Sequence, residues 1–196
     1  MRSILTSLFL AALLTQASVA IAQETTAPAP AATADELSLG EPVGPQVGDP
    51  YVREEFGDWA LRCIKSDAGS PDPCNLYQLL TNDDGVAVAE FNIFRLPEGQ
   101  RAAAGATVVV PLETLLTQQL TISVDGANPR RYPFTFCNRA GCVARVGFTQ
   151  EEIDEFKRGV RATVRLVPAA APTEEVILDV SLSGFTAGYD SATEGE

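Results

Sequence analysis

The chain has 196 residues, carries 14 Lys and Arg against 26 Asp and Glu for a net charge of -12, and contains no histidine. That balance disfavours nucleic acid and anionic lipid, which bind through concentrated positive charge, and it suits the solubility of an exported protein. The missing histidine removes Ser-His-Asp and Cys-His catalysis, every His-based metal site and the usual general base near neutral pH.

Residues 1–22 read as a signal peptide. Arg2 supplies the positive start, Ile4 to Leu14 is apolar, and Ala20-Ile21-Ala22 before Gln23 fits the small-x-small cleavage rule. The run from Ser3 to Ala22 has no charge, so an uncleaved anchor is the alternative, but Thr15, Gln16 and Ser18 weaken it. No cysteine stands near the cleavage site to carry lipid. The mature chain is therefore expected to be periplasmic or secreted, with no integral membrane span.

Residues 23–50 are Pro, Ala, Thr, Gly and acids, as in Ala27-Pro28-Ala29-Pro30-Ala31-Ala32 and Gly40-Glu41-Pro42-Val43-Gly44-Pro45. With neither helix nor strand period, they predict a disordered acidic spacer. A Pro-rich ligand for a partner domain would need a basic or aromatic anchor that the segment lacks. Residues 51–190 are the expected folded domain, and 191–196 a disordered tail. About 140 residues suffice to bury a real core.

From Tyr51 onward the pattern alternates. Leu120, Ile122 and Val124 alternate with Thr121 and Ser123, and Tyr132, Phe134 and Phe136 with Arg131 and Thr135. Val160, Ala162, Val164 and Leu166 alternate with Arg161, Thr163 and Arg165, and Val176, Leu178, Val180 and Leu182 with Ile177, Asp179, Ser181 and Ser183. Period two predicts strands with one face in a core and one in water, as in antiparallel sheets. Turn signals at Asn82 to Gly85, Pro97 to Gly99, Asp125 to Pro129 and Pro168 to Pro172 separate them. Roughly eight or nine strands at that spacing give an all-β fold, an antiparallel β-sandwich immunoglobulin-like in general architecture, with one short α-helix. That helix is expected to start at the capping box Thr149 to Glu152, to carry Ile153 and Phe156 on one face and to end near Gly159; plugging the open end of the sandwich is its expected job, with partner binding as the alternative.

Cys63, Cys74, Cys137 and Cys142 are the only cysteines, an even set that in an exported chain reads as two disulfides. Three connectivities are formally open; the short turn Asn138 to Gly141 and the Pro71 and Pro73 loop favour the local pairs Cys63 with Cys74 and Cys137 with Cys142. Zinc is the rival, but the spacings lack the tight paired knuckles of structural zinc sites, and neither pair has the two-residue spacing of thiol oxidoreductases. Trp59, the only tryptophan, shares a strand face with Cys63, so core packing near the sulfurs competes with a role in binding. Phe185 is assigned with Trp59 to the core.

Only carboxylates remain for catalysis. Asp83-Asp84 lies in a turn, Glu54-Glu55 flanks the first strand, and Glu151-Glu152 opens the helix, where acids favour the dipole. A glycosidase-like acid pair would have to come from these. No phosphate-cradling loop appears, and Asp67 to Asp72 lacks the register and closing Glu of a helical calcium loop. No catalytic, cofactor-binding or metal residue is assigned, and no cofactor is expected.

Phe56-Gly57-Asp58-Trp59 with Cys63, then Cys74 and Gln78, then Cys137-Asn138-Arg139-Ala140-Gly141-Cys142-Val143-Ala144 and a closing Leu182-Ser183-Gly184-Phe185 resemble the invasion-associated locus B proteins. The resemblance runs from about Tyr51 to Asp190. It implies a small periplasmic or secreted β-sandwich of Gram-negative bacteria, in a family named for a member linked to entry of a pathogen into host red cells, and brings no activity or cofactor. Relatives in free-living bacteria mean that invasion does not follow from it. Two readings remain: a non-enzymatic envelope module that binds a protein or cell-surface component through loops or a strand edge, and a small-ligand binder or carboxylate-dependent hydrolase.

Overall fold

A computed structural model describes Gly40 and residues 43–192. The expected signal peptide, most of the expected spacer and the end of the expected tail lie outside the described residues. The chain divides into two compact units, Met1–Pro42 and Val43–Glu196, and every element below belongs to the second.

Among the described residues eleven strands and two α-helices follow one another: β1 Pro50–Phe56, β2 Trp59–Ile64, β3 Cys74–Thr81, β4 Ala87–Arg95, β5 Ala104–Val110, β6 Leu120–Val124, β7 Ala127–Tyr132, β8 Phe134–Asn138, β9 Gly141–Phe148, α1 Gln150–Arg158, β10 Arg161–Leu166, β11 Val176–Ser181 and α2 Phe185–Ser191. All pairings are antiparallel. A seven-stranded sheet runs β1-β2-β3-β4-β5-β9-β8, and a four-stranded sheet runs β11-β10-β6-β7. The inward residues of both, among them Leu76, Phe91, Val108 and Ala144 from the first and Leu120, Ile122, Val164 and Leu178 from the second, form one buried cluster. This is an all-β sandwich, as the alternation predicts.

The two sides of the sandwich differ. On one, only Pro133 separates β7, the edge of the small sheet, from β8, the edge of the large one, so the chain itself joins the sheets. On the other, β11 lies against β3, with β2 and β1 continuing past it. That second side is an open seam.

Three expectations need correction. Tyr132, Phe134 and Phe136 do not share one face: Pro133 interrupts the ladder, and a register shift between Phe134 and Phe136 leaves Phe136 exposed beneath Arg145. Val160 does not point into the core; it precedes β10 and is exposed. A second helix, α2, joins the predicted one. Its Phe185 and Tyr189 enter a chain of ring contacts that runs from Trp59 through Phe185 to Phe156 and Phe148, with centroids 5.1 to 5.5 Å apart.

The capping box of α1 forms in both directions: the Glu152 N–H donates to Thr149 Oγ1 at 3.3 Å and the Thr149 N–H to Glu152 Oε2 at 2.7 Å. The Glu152 carboxylate is buried, and it also accepts from the Tyr132 hydroxyl at 3.2 Å and from Arg130 at 3.0 Å. Burial, then the Glu152 charge, pushes the Tyr132 hydroxyl pKa upward. A buried carboxylate with this many donors satisfies its lone pairs, so helix α1 is pinned to β7.

Candidate functional site

The four quoted motifs meet mainly as structure. Cys63 faces Cys74 across the β2–β3 register and Cys137 faces Cys142 across β8–β9, and each pair is disulfide-bonded. Such bridges contribute about 2 to 3 kcal/mol each by loop closure. Trp59 is buried, but Phe91 and Phe185 flank its indole, while Cys63 and Cys74 pack in a separate cluster with Leu61 and Ala192.

The Phe56-Gly57-Asp58 turn and the Ser183-Gly184 turn interlock. Gly57 and Gly184 both take positive φ, at 57° and 83°, and a Cβ on Gly57 would lie 2.6 Å from the Ser183 carbonyl oxygen. A Cβ on Gly184 would fall on the Phe56 carbonyl. Each glycine thus serves both the left-handed conformation and the close backbone approach.

Gln78 ties the seam beside this lock. Its Oε1 accepts from the Ser181 N–H at 2.8 Å, while its Nε2 donates to the Ser181 carbonyl at 3.0 Å and to the Asp58 carbonyl at 3.3 Å. The Trp59 Nε1–H donates to the same Ser181 carbonyl at 2.7 Å. Next to this clasp an open groove of about 1050 Å³ is lined by Asp58, Leu79, Thr81 and Asp83 on one side and Arg161, Ile177 and Asp179 on the other. Its acids are partly engaged: Asp58 accepts from the Ser181 hydroxyl at 2.5 Å, and Asp179 pairs with Arg161 at 3.0 Å.

A second recess of about 520 Å³ lies under the Arg95–Gln100 loop, against Lys157, Tyr189 and Asp190. Lys157 is held by Asp190 at 2.7 Å and stands over the Tyr189 ring, whose hydroxyl donates to the Ala103 carbonyl. Burial raises the Tyr189 pKa, so the group stays neutral. Among the described residues no group of three acids or thiols is placed to hold a metal ion.

The Asp67 to Asp72 loop ends in an anchor. Asp72 accepts from the Tyr51 hydroxyl at 2.6 Å, the Ser66 N–H at 2.7 Å and Lys65 Nζ at 3.2 Å. These bonds, the Tyr51 one largest, hold its carboxyl at about 2, below the ordinary 3.8. A depressed acid stabilises the fold above its unfolded pKa and loses that contribution as pH falls through the folded value. Acid unfolding should therefore have a component between about pH 4 and pH 2 that Asp72→Asn removes, read as a flatter stability profile in that window; an unchanged profile would contradict this anchor role.

Sequence reasoning found Gln78 only as a motif letter, because its partner Ser181 lies 103 residues away. The seam left no local signal at all.

A family model described as Invasion associated locus B (IalB) protein matches residues 59–193. The crystal structure of invasion associated protein B from Bartonella henselae is similar in fold, with a TM-score of 0.59 and 20% identity over 70% of this chain and 92% of that one. The comparison with curated proteins returned no match. With the family model spanning Trp59, Gln78, Ser181, Gly184 and both staples, this chain belongs to the invasion associated locus B family.

Proposed function

We propose that the chain is an exported, non-enzymatic interaction protein of the bacterial envelope, periplasmic or secreted after cleavage before Gln23, and that it binds a protein or cell-surface component. The observation that carries this reading is where the shared residues lie. They build turns, staples and core packing; Asp58 and Gln78, which reach the wall of the groove beside the clasp, are hydrogen-bonded to Ser181, and Ala140, on a separate recess, offers only a methyl group. We place recognition on the exposed loops that this stapled scaffold carries. Two disulfides suit an oxidising compartment, and among the described residues no helix is long and apolar enough to cross a membrane. The name of the Bartonella relative connects that protein with invasion; envelope binding is what we carry to this chain.

The hydrolase alternative has one observation in its favour, three aspartates around one groove. Two of them are already committed to Ser181 and Arg161, which favours a binding surface over an acid pair. Replacement of residues 97–101 or 67–71 by Gly and Ser, with Asp72 kept, should weaken capture of the partner from intact cells several-fold while leaving the urea midpoint within error. Loss of a measurable turnover in a folded single Asp→Asn variant would replace this reading with the hydrolase.

A further inference from the structure

The sandwich has four strand edges, and three of them are blunted. The pairing of β1 shifts register between Val52 and Glu54, that of β7 between Ile122 and Val124, and that of β8 between Phe134 and Phe136. β1 and β7 also carry charge or proline, in Arg53-Glu54-Glu55 and Pro129-Arg130-Arg131. Bulges, charges and proline are how edges avoid pairing with other chains. β11 has no register shift: its six residues, Val-Ile-Leu-Asp-Val-Ser, pair with β10 without a break.

The direction of its free groups follows from the clasp. Ser181 offers its N–H and C=O to Gln78 and Trp59, away from β10, while the Leu182 N–H donates to the Val160 carbonyl. Antiparallel ladders alternate, so Ile177 and Asp179 also present both backbone groups to the seam. The facing strand repeats this. The Ile64 N–H bonds the Pro73 carbonyl, so the odd residues of β3 point toward β2, and β2 pairs only as far as Tyr77. The backbone groups of Leu79 and Thr81 therefore point toward the same groove, which both residues line.

We propose that this seam takes an extended peptide of a partner protein as a fifth strand beside β11, with Lys or Arg at alternate positions. The inference rests on the binding-module reading and names its partner chemistry. Main-chain bonds to Ile177 and Asp179 supply affinity, as in other strand additions, and alternate side chains supply selection. Charge sets the sign: Asp58, Asp83 and Asp179 line the groove against the single cation Arg161. A second copy of this chain is disfavoured on the same ground, because β11 against β11 would bring two Asp179 carboxylates together on one edge.

The probe is a set of ten-residue synthetic peptides in which Lys or Arg alternates with Val, Ile, Thr or Tyr, titrated into the mature chain and read by amide hydrogen exchange. The expected result is protection of the Ile177 and Asp179 amides, with at least tenfold weaker binding after N-methylation of alternate peptide residues. Asp83→Asn should weaken binding several-fold and flatten its salt dependence. Ile177→Pro should abolish binding, since it deletes a donor that the β10 ladder does not use; the N-methylated peptides test the same bonds with the protein unaltered. Three results would overturn the proposal: no binding by any peptide at millimolar concentration, binding without protection of those amides, or dimerisation that protects them in the absence of peptide. If the seam fails while cell capture survives Ile177→Pro and falls on loop replacement, the binding-module reading stands without it.

Discussion

Gly184→Ala is expected to lower the stability of the domain by about 3 to 5 kcal/mol, a large fraction of the roughly 5 to 15 kcal/mol that holds a domain of this size. Two costs add. An alanine at φ 83° is strained, and its Cβ would fall on the carbonyl of Phe56, a backbone atom that cannot move without shifting the Phe56-Gly57-Asp58 turn. Gly188→Ala, four positions along, is the control. There the crowding atoms belong to side chains, Leu76 Cδ1 at 2.6 Å and the Phe56 ring at 3.3 Å, which can shift at a smaller cost than a backbone carbonyl, the φ is not left-handed, and alanine gains helix propensity over glycine inside α2. Urea midpoints should separate the two clearly. Equal shifts would mean that the lock between the two turns does not hold the fold.

Gln78→Leu is expected to cost about 1 to 3 kcal/mol, because it takes the acceptor from the half-buried Ser181 N–H and removes both donors of the amide while adding little change in volume. The Ser181 carbonyl keeps the Trp59 bond. The loss should therefore appear chiefly at the end of β11, as faster exchange of the Ser181 amide and of its neighbours toward Val180, ahead of the core strands. A midpoint within 0.5 kcal/mol of the parent, on the scale of a neutral surface change, would remove Gln78 from the clasp.

The parts of this fold legible in the sequence are those set by local periodicity. Leu178 and Val180 sit in the core opposite Val164 and Ala162 respectively, as the alternation predicts, and the Thr149 to Glu152 box caps α1. Helix α2 was not legible. Phe185-Thr-Ala-Gly-Tyr-Asp-Ser holds an internal glycine and starts from Gly184 without a side-chain cap, so only the burial of Phe185 and Tyr189 makes it a helix. The run through Phe134 and Phe136 misled because Pro133 and a register shift break an apparent alternation.

The candidate site was less legible still, for a physical reason. Whether the edge of β11 is free depends on which strand comes to lie beside it, a consequence of sheet order and not of any residue in Val176 to Ser181. The carboxylates could be named in advance, but not that Asp58, Asp83 and Asp179 gather on one groove while Asp72 anchors a loop elsewhere.

The most direct test of a binding role is to mix the purified mature chain with the partner it captures from cells and follow both by native mass spectrometry. A binding module predicts a stable complex of fixed stoichiometry, from which the partner is recovered with its mass unchanged however long the incubation. A partner converted in many turnovers per chain, and spared by a folded Asp58→Asn, Asp83→Asn or Asp179→Asn variant, would contradict it.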